Sequence, residues 1–128
     1  MSIVNIFVGS GCNTNELRLF VKKTISAESI LAVKKHWVRV NIFGNSPEGS
    51  LFFPKPDAMY VDIIFWKKPE RTTPEAIKKL SIMCKKIARW MRENISPWAG
   101  CGKQTILVKV TFIDPKETPL FLLEKDCD

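Results

Sequence analysis

The sequence predicts one small α/β domain built from two successive β-α-β units. Three observations predict it. Four short segments are rich in β-branched and aromatic residues, as strands are. Two of the intervals between them carry apolar residues at steps of three or four, as amphipathic helices do. The halves also resemble each other: Val38-Arg39-Val40-Asn41-Ile42-Phe43 lines up with Val108-Lys109-Val110-Thr111-Phe112-Ile113, and Val4-Asn5-Ile6-Phe7 with Val61-Asp62-Ile63-Ile64. Residues 1–45 and 58–114 read as pseudo-repeats within a single domain over 1–128, with a short C-terminal edge segment over 119–124.

Residues 3–8, Ile-Val-Asn-Ile-Phe-Val, form the first predicted strand, closed by Gly9-Ser10-Gly11. Asn13 or Thr14 caps the following helix, and Glu16 stands three residues after Asn13 as in a capping box. Leu17, Phe20, Val21 and Thr24 keep helical spacing, which extends the helix to about residue 33 with a break near Ser26. Residues 36–43 then alternate, with Val38, Val40 and Ile42 on one face and Trp37, Arg39, Asn41 and Phe43 on the other. Residues 44–50 are a loop by composition, Leu51-Phe52-Phe53 is short and apolar, and the prolines of Pro54-Lys55-Pro56-Asp57 disfavour a central strand.

Residues 60–66, Tyr-Val-Asp-Ile-Ile-Phe-Trp, are the strongest strand signal. Thr73-Pro74-Glu75 supplies an N-cap, a proline at the first helical position and an early acid. Ile77, Leu80, Met83, Cys84, Ile87, Trp90 and Met91 form an apolar stripe, and Lys78, Lys79, Lys85, Lys86, Arg89 and Arg92 fill the remaining arc. The pattern predicts a helix of about five turns at 3.6 residues per turn. Residues 94–102 end it. Residues 105–113 form the fourth strand, with Ile106, Val108, Val110 and Phe112 on one face, and residues 120–123 read as a short edge strand.

Composition narrows the function classes. No apolar run approaches the roughly 18 residues that span a bilayer, and no secretory signal opens the chain, so a cytoplasmic protein is expected. Cys12, Cys84, Cys101 and Cys127 form no CxxC pair and no zinc pattern; they read as reduced thiols, with a Cys101–Cys127 bridge as the alternative. No metal site is expected. Net charge is +7 from 20 basic and 13 acidic side chains, a balance that suits an anionic partner or a solvated surface. The lysines are spread along the chain, which favours the solvated surface. Gly9-Ser10-Gly11 lacks the G-x-G-x-x-G spacing and a P-loop lysine, so it reads as a strand-to-helix turn. The sole histidine, His36, has no local partner for a triad and reads as a solvated strand-end residue.

Three places carry a resemblance to a known family. They are Tyr60-Val61-Asp62-Ile63-Ile64-Phe65-Trp66, Asn94-Ile95-Ser96-Pro97, and Val108-Lys109-Val110-Thr111-Phe112-Ile113-Asp114 with its Leu/Phe-rich tail. Over nearly its whole length the chain resembles the tautomerase, or macrophage migration inhibitory factor-like, superfamily, and within it a branch lacking the N-terminal proline. The resemblance implies an α+β sandwich: a four-stranded mixed sheet with two helices on one face. It also implies a homo-oligomer, a ring-shaped trimer in which short strands extend a neighbour's sheet. Phe52, Phe53 and residues 120–123 are candidates for that role, or for packing over the subunit's own edge.

Family enzymes use an N-terminal proline amine as the base in keto–enol chemistry. This chain departs from that pattern with Ser2. Removal of Met1 would leave a primary α-amine, whose reference pKa of about 7.7–8.0 suits a base or imine-forming nucleophile. The family often places a basic residue at the entry to the second strand to hold a substrate carboxylate; Lys34 and Lys35 stand there. The expected chemistry is keto–enol isomerisation of a small carboxylic acid, with no cofactor required. A non-catalytic oligomeric relative is the reading that the loss of proline favours.

The rival is a ferredoxin-like RNA-binding module, which has the same β-α-β-β-α-β order. Ile6-Phe7-Val8-Gly9 resembles its first-strand motif, and exposed aromatics with lysines suit nucleic acid. Residues 60–66 lack that module's Lys/Arg-Gly-aromatic pattern. Strand pairing separates the plans: parallel first and second strands support the tautomerase plan, whereas first and third strands are central neighbours in the ferredoxin-like one.

Overall fold

The computed structural model describes residues 2–8, 14–44, 58–95, 105–114 and 116–119. The order is β1 (Ser2–Val8), α1 (Thr14–Ala27), β2 (Val38–Gly44), β3 (Ala58–Trp66), α2 (Pro74–Asn94) and β4 (Thr105–Ile113). Short 3-10 turns over Lys35–Trp37 and Pro69–Arg71 precede β2 and α2. The expected elements over residues 9–13, 45–57, 96–104 and 120–128 lie outside the described residues, and with them Met1, Phe52, Phe53, Cys12, Cys101 and Cys127.

The four strands form one mixed sheet in the order β2-β1-β3-β4. β1 and β2 are parallel with Ser2 opposite Val38, and β3 and β4 are parallel with Met59 opposite Ile106. The two pairs join through antiparallel β1 and β3, where Val4 faces Ile63 and Ile6 faces Val61. Each helix thus serves as the crossover that a parallel pair requires. The first and third strands are central neighbours here too, so adjacency alone does not separate the two plans. Pairing does. In a split β-α-β plan another strand lies between the two strands of each unit, whereas here they are direct neighbours.

Period-2 alternation sorts the sheet into two faces. Val4, Ile6 and Val8 of β1, Val38 and Val40 of β2, and Met59, Val61, Ile63 and Phe65 of β3 point to one side and are buried. Leu17, Val21 and Ile25 of α1 and Leu80, Met83, Ile87 and Met91 of α2 close over them in one core. Both helices therefore cover the same face. Thr73 caps α2 as its sequence indicates: its Oγ1 accepts from Ala76 N at 3.1 Å.

Three details differ from expectation. α1 stops at Ala27 instead of running to about residue 33. Ser26 bonds back to the Lys23 carbonyl, an alternative to the helical ladder, and Ala32 adopts a positive φ of 49° that no helix continues through. Residues 35–37 form a 3-10 turn, so β2 begins at Val38. Ile77, placed on the apolar stripe of α2, is 51% exposed, because it sits on the lip of a groove between α2 and edge strand β4.

The other sheet face carries no helix among the described residues, and its side chains lie in cross-strand rows. One row is Arg39, Ile3, Ile64 and Thr111; the next is Asn41, Asn5, Asp62 and Lys109; the third is Phe43, Phe7, Tyr60 and Leu107. Asn41 Nδ2 donates to Asn5 Oδ1 at 3.1 Å, and Thr111 Oγ1 donates to Asp62 Oδ1 at 2.8 Å. In the third row Phe7 stacks on Phe43 at 5.1 Å and meets Tyr60 at 6.0 Å.

Two substitutions on α2 test this burial map by urea denaturation. Ile87 is fully buried and Ile77 half exposed. Ile87→Ala should cost about 2–5 kcal/mol, as core truncations do. Ile77→Ala should change stability by no more than about 0.5–1 kcal/mol.

Candidate functional site

Because β1 and β2 run parallel, Ser2 and the approach to β2 reach the same end of the sheet. Lys34 and Lys35 stand on that approach and are exposed, with Lys34 Nζ 5.0 Å from the centre of the Trp37 ring. His36 is exposed and meets Trp37 edge-on at 5.5 Å. β3 runs antiparallel to β1, so its last residue, Trp66, comes to this end as well, followed by Lys67 and Lys68. Lys67 Nζ lies 3.9 Å from Asp114 Oδ2. The end of the sheet that holds Ser2 is therefore rimmed by cations.

Ser2 itself points inward. It is fully buried on the helix-covered face, and its Oγ has no hydrogen-bond partner. The fold thus brings Ser2 and the two lysines to one end but on different levels: the serine hydroxyl within the core, the lysines on the rim.

A further functional-looking side chain at this end is Arg71, which the sequence alone does not single out. It is only 6% exposed. Its Nη2 donates to the Leu31 carbonyl at 2.7 Å and its Nη1 to the Trp66 carbonyl at 2.9 Å. The guanidinium carbon lies 5.4 Å from the centre of the Phe65 ring. Its Nε has no partner. Burial pushes its pKa down, partly offset by Glu70. Arg71 ties the α1–β2 connection to the end of β3. The tie holds Leu31 directly beside Ala32, whose left-handed backbone carries steric strain. That connection leads straight into Lys34 and Lys35. Arginine suits the task because its planar fork reaches two carbonyls at once. The sequence conceals it, since Arg71 stands among Lys67, Lys68 and Glu70 in a stretch that reads as a polar loop.

A small cavity of about 60 Å³ opens at this end, lined by Ile3, Ile64, Phe65, Trp66 and Ile113. It is well below the roughly 300 Å³ of ordinary small-molecule pockets. A larger groove of about 570 Å³ runs between α2 and β4, past Leu80, Cys84, Val108 and Phe112. Burial pushes the Cys84 thiol up to about 11. On the open face, a hydrogen bond to Tyr60 and the nearby Asp62 carboxylate raise the pKa of Lys109. Among the described residues no three of His, Cys, Asp and Glu gather as a metal-binding group, and no helix is long and apolar enough to cross a membrane.

Thermal or urea unfolding checks the clamp. Arg71→Met strands two carbonyls and should cost roughly 2–4 kcal/mol, whereas Ala32→Gly relieves the left-handed strain and should gain about 0.5–1 kcal/mol. Alkylation kinetics check Cys84 in a variant with the other three cysteines changed to serine. With a pKa of about 11, the folded protein at pH 8 holds about one thiolate in a thousand, against about one in four for a free cysteine. Labelling should be about a hundredfold or more slower than in urea and should rise about tenfold per pH unit up to about pH 10.

No family model matches the sequence, and no curated protein matches it. Solved structures do match the fold. A domain of unknown function, DUF1904, from Sebaldella termitidis aligns with a TM-score of 0.52 at 10% identity, over 94% of this chain and 95% of that one. A protein described as Ps01740 aligns at 0.55 and 13% identity, over 92% of this chain and 99% of that one. A fused 4-OT described as a wild-type symmetric trimer aligns at 0.56 and 14% identity, over 89% and 88%. At such identities the likeness is one of fold: over 89% of its length this chain shares the fold of the fused 4-OT, a tautomerase-superfamily protein.

Proposed function

We propose that this chain is a subunit of a homotrimer that binds a small keto or enol acid at the cationic end of its sheet and shifts a proton on it. The observation that carries the reading is the β1–β2 register, Ser2 opposite Val38, which sets Ser2 at the same end of the sheet as the turn bearing Lys34 and Lys35. In this reading Met1 is removed, and the Ser2 α-amine takes a proton from the carbon next to the carbonyl. It returns that proton at the other end of the enol. Lys34 or Lys35 holds the carboxylate as a point charge. Neither a metal nor a cofactor takes part in this scheme.

The subunit's own cavity at this end is too small for such an acid, so a neighbouring copy supplies the missing wall. Support for assembly comes from the helix-free face. Phe43 is 47% and Leu107 39% exposed there, in an aromatic row that a second copy would cover. Among the described residues β2 and β4 are the edge strands of the sheet, and each offers backbone groups to a strand from a neighbour. The fused 4-OT is described as a symmetric trimer. A duplicated β-α-β unit and a cytoplasmic setting belong to the same reading.

A second reading is favoured by one observation. Ser2 is completely buried, which suits a relative that keeps the ring and has given up proton transfer. The two readings share the trimer and differ in the amine.

Two measurements test them. Sedimentation should show a trimer at micromolar concentration, and Phe43→Asp should shift it to smaller species; a monomeric wild-type protein refutes both readings. Exchange of the methyl protons of pyruvate into heavy water, followed by NMR, tests the chemistry once mass spectrometry shows Ser2 as the first residue. Exchange should exceed the buffer rate, rise through about pH 7–8 as the amine deprotonates, and fall about tenfold in Lys34→Gln or Lys35→Gln. A buffer-level rate with a free Ser2 amine selects the non-catalytic reading.

A further inference from the structure

The net charge is not spread over the fold. α1 and α2 together carry nine basic residues (Arg18, Lys22, Lys23, Lys78, Lys79, Lys85, Lys86, Arg89 and Arg92) against three acids, a surplus of six in a chain whose net charge is +7. The rest of the chain is close to neutral, with eleven basic and ten acidic residues. The excess positive charge sits on the helix layer, away from the open sheet face that the proposed trimer buries.

That layer also holds a cleft. Phe20 of α1 and Trp90 of α2 stack at 4.9 Å with their planes 11° apart and form its floor. Ile82, Lys85, Lys86, Arg89 and Glu93 line it along α2, enclosing about 590 Å³. Ile82 is 58% exposed, and Leu19, next to Phe20 in α1, is also 58% exposed. The α2 residues fall at helical spacing over the eleven steps from Ile82 to Glu93, a stripe of about 16 Å at 1.5 Å per residue, or three turns. The cleft is thus an apolar trough with cations on its wall and one acid at its far end.

We propose that this cleft is a docking groove for an acidic amphipathic helix of a partner protein, about three turns long. Its apolar residues would cover Phe20, Trp90 and Ile82, and its carboxylates would face Lys85, Lys86 and Arg89. Charge complementarity and shape select this occupant. A bilayer surface would meet the protruding Ile82 and Leu19 but leave the hollow beside Phe20 and Trp90 unfilled, whereas a helix laid along it covers all of them. A single nucleic-acid strand needs free ring faces for its bases, and Phe20 and Trp90 each occupy one face of the other. Glu93 at one end sets polarity, because it disfavours acids on that end of the partner. This surface lies outside the acid-binding reading and stands or falls separately from it.

Fluorescence anisotropy tests the groove. The probe is a labelled synthetic 16-residue helix with leucines at one-face spacing and glutamates elsewhere. The comparators are the same composition scrambled, a 16-nucleotide oligothymidine, and vesicles containing 30% phosphatidylglycerol. Ile82→Asp and the pair Lys86→Glu, Arg89→Glu alter exposed positions, and circular dichroism confirms that each variant is folded. The amphipathic peptide should bind saturably and weaken about tenfold or more in each variant and on scrambling. The proposal is overturned by peptide binding that is absent, equal for the scrambled sequence, or unchanged by Ile82→Asp. It is equally overturned if oligothymidine or vesicles bind the wild-type protein more tightly than the peptide.

Discussion

The antiparallel seam between β1 and β3 is the constraint on which the rest of the structure depends. Each β-α-β unit is a parallel pair with its helix laid across one face, and a lone two-stranded pair does not hold such a core by itself. Joining the units through Val4 with Ile63 and Ile6 with Val61 makes a four-stranded sheet and places both helices on the same side. The seam also sets which chain ends meet. Running antiparallel, it brings the start of β1 to the finish of β3, so Ser2 lies at the same end as Phe65, Trp66 and the Arg71 clamp.

From this seam the two faces acquire different chemistry. The helix side is an uninterrupted apolar core whose only buried polar and charged residues are Ser2, Thr24 and Arg71 among those described. The open side carries a polar row of Asn41, Asn5, Asp62 and Lys109, tied by Thr111 to the row of Arg39, Ile3 and Ile64 on one side and flanked by the aromatic row of Phe43, Phe7 and Tyr60 on the other. A polar row of this kind tolerates water or a partner's polar groups, and its neighbouring rows offer apolar area.

Much of the fold could be read from the residues. The strands announce themselves by period 2 and β-branched composition, and α2 by Thr73-Pro74 before its stripe. The end of α1 could not be read, because Ala27 and residues 30–33 are compatible with a helix, and nothing in the identity of Ala32 discloses its positive φ. Strand order was equally hidden, since one element order serves two sheet plans that differ in which strands are neighbours. The site was less legible still. Lys34 and Lys35 stand out only through a family resemblance, and Arg71 looks like one more loop cation until its two carbonyl partners appear. Lysines that look scattered along the chain gather on one layer once the helices pack side by side.

The cationic end, the helix-free face and the basic cleft are positioned by one sheet order, so that order is where the account is most exposed. NOE spectroscopy on labelled protein reads it directly, because antiparallel neighbours bring Hα atoms together at alternate, closely spaced pairs. The account predicts strong Hα–Hα cross-peaks at every second pair along Ile3/Ile64, Val4/Ile63, Asn5/Asp62 and Ile6/Val61, backbone amide contacts of a parallel pair between β1 and β2 along Val4/Val40 and Ile6/Ile42, and no cross-peaks between β2 and β3. Hα–Hα peaks between β2 and β3, or no backbone contacts between β1 and β2, would contradict it.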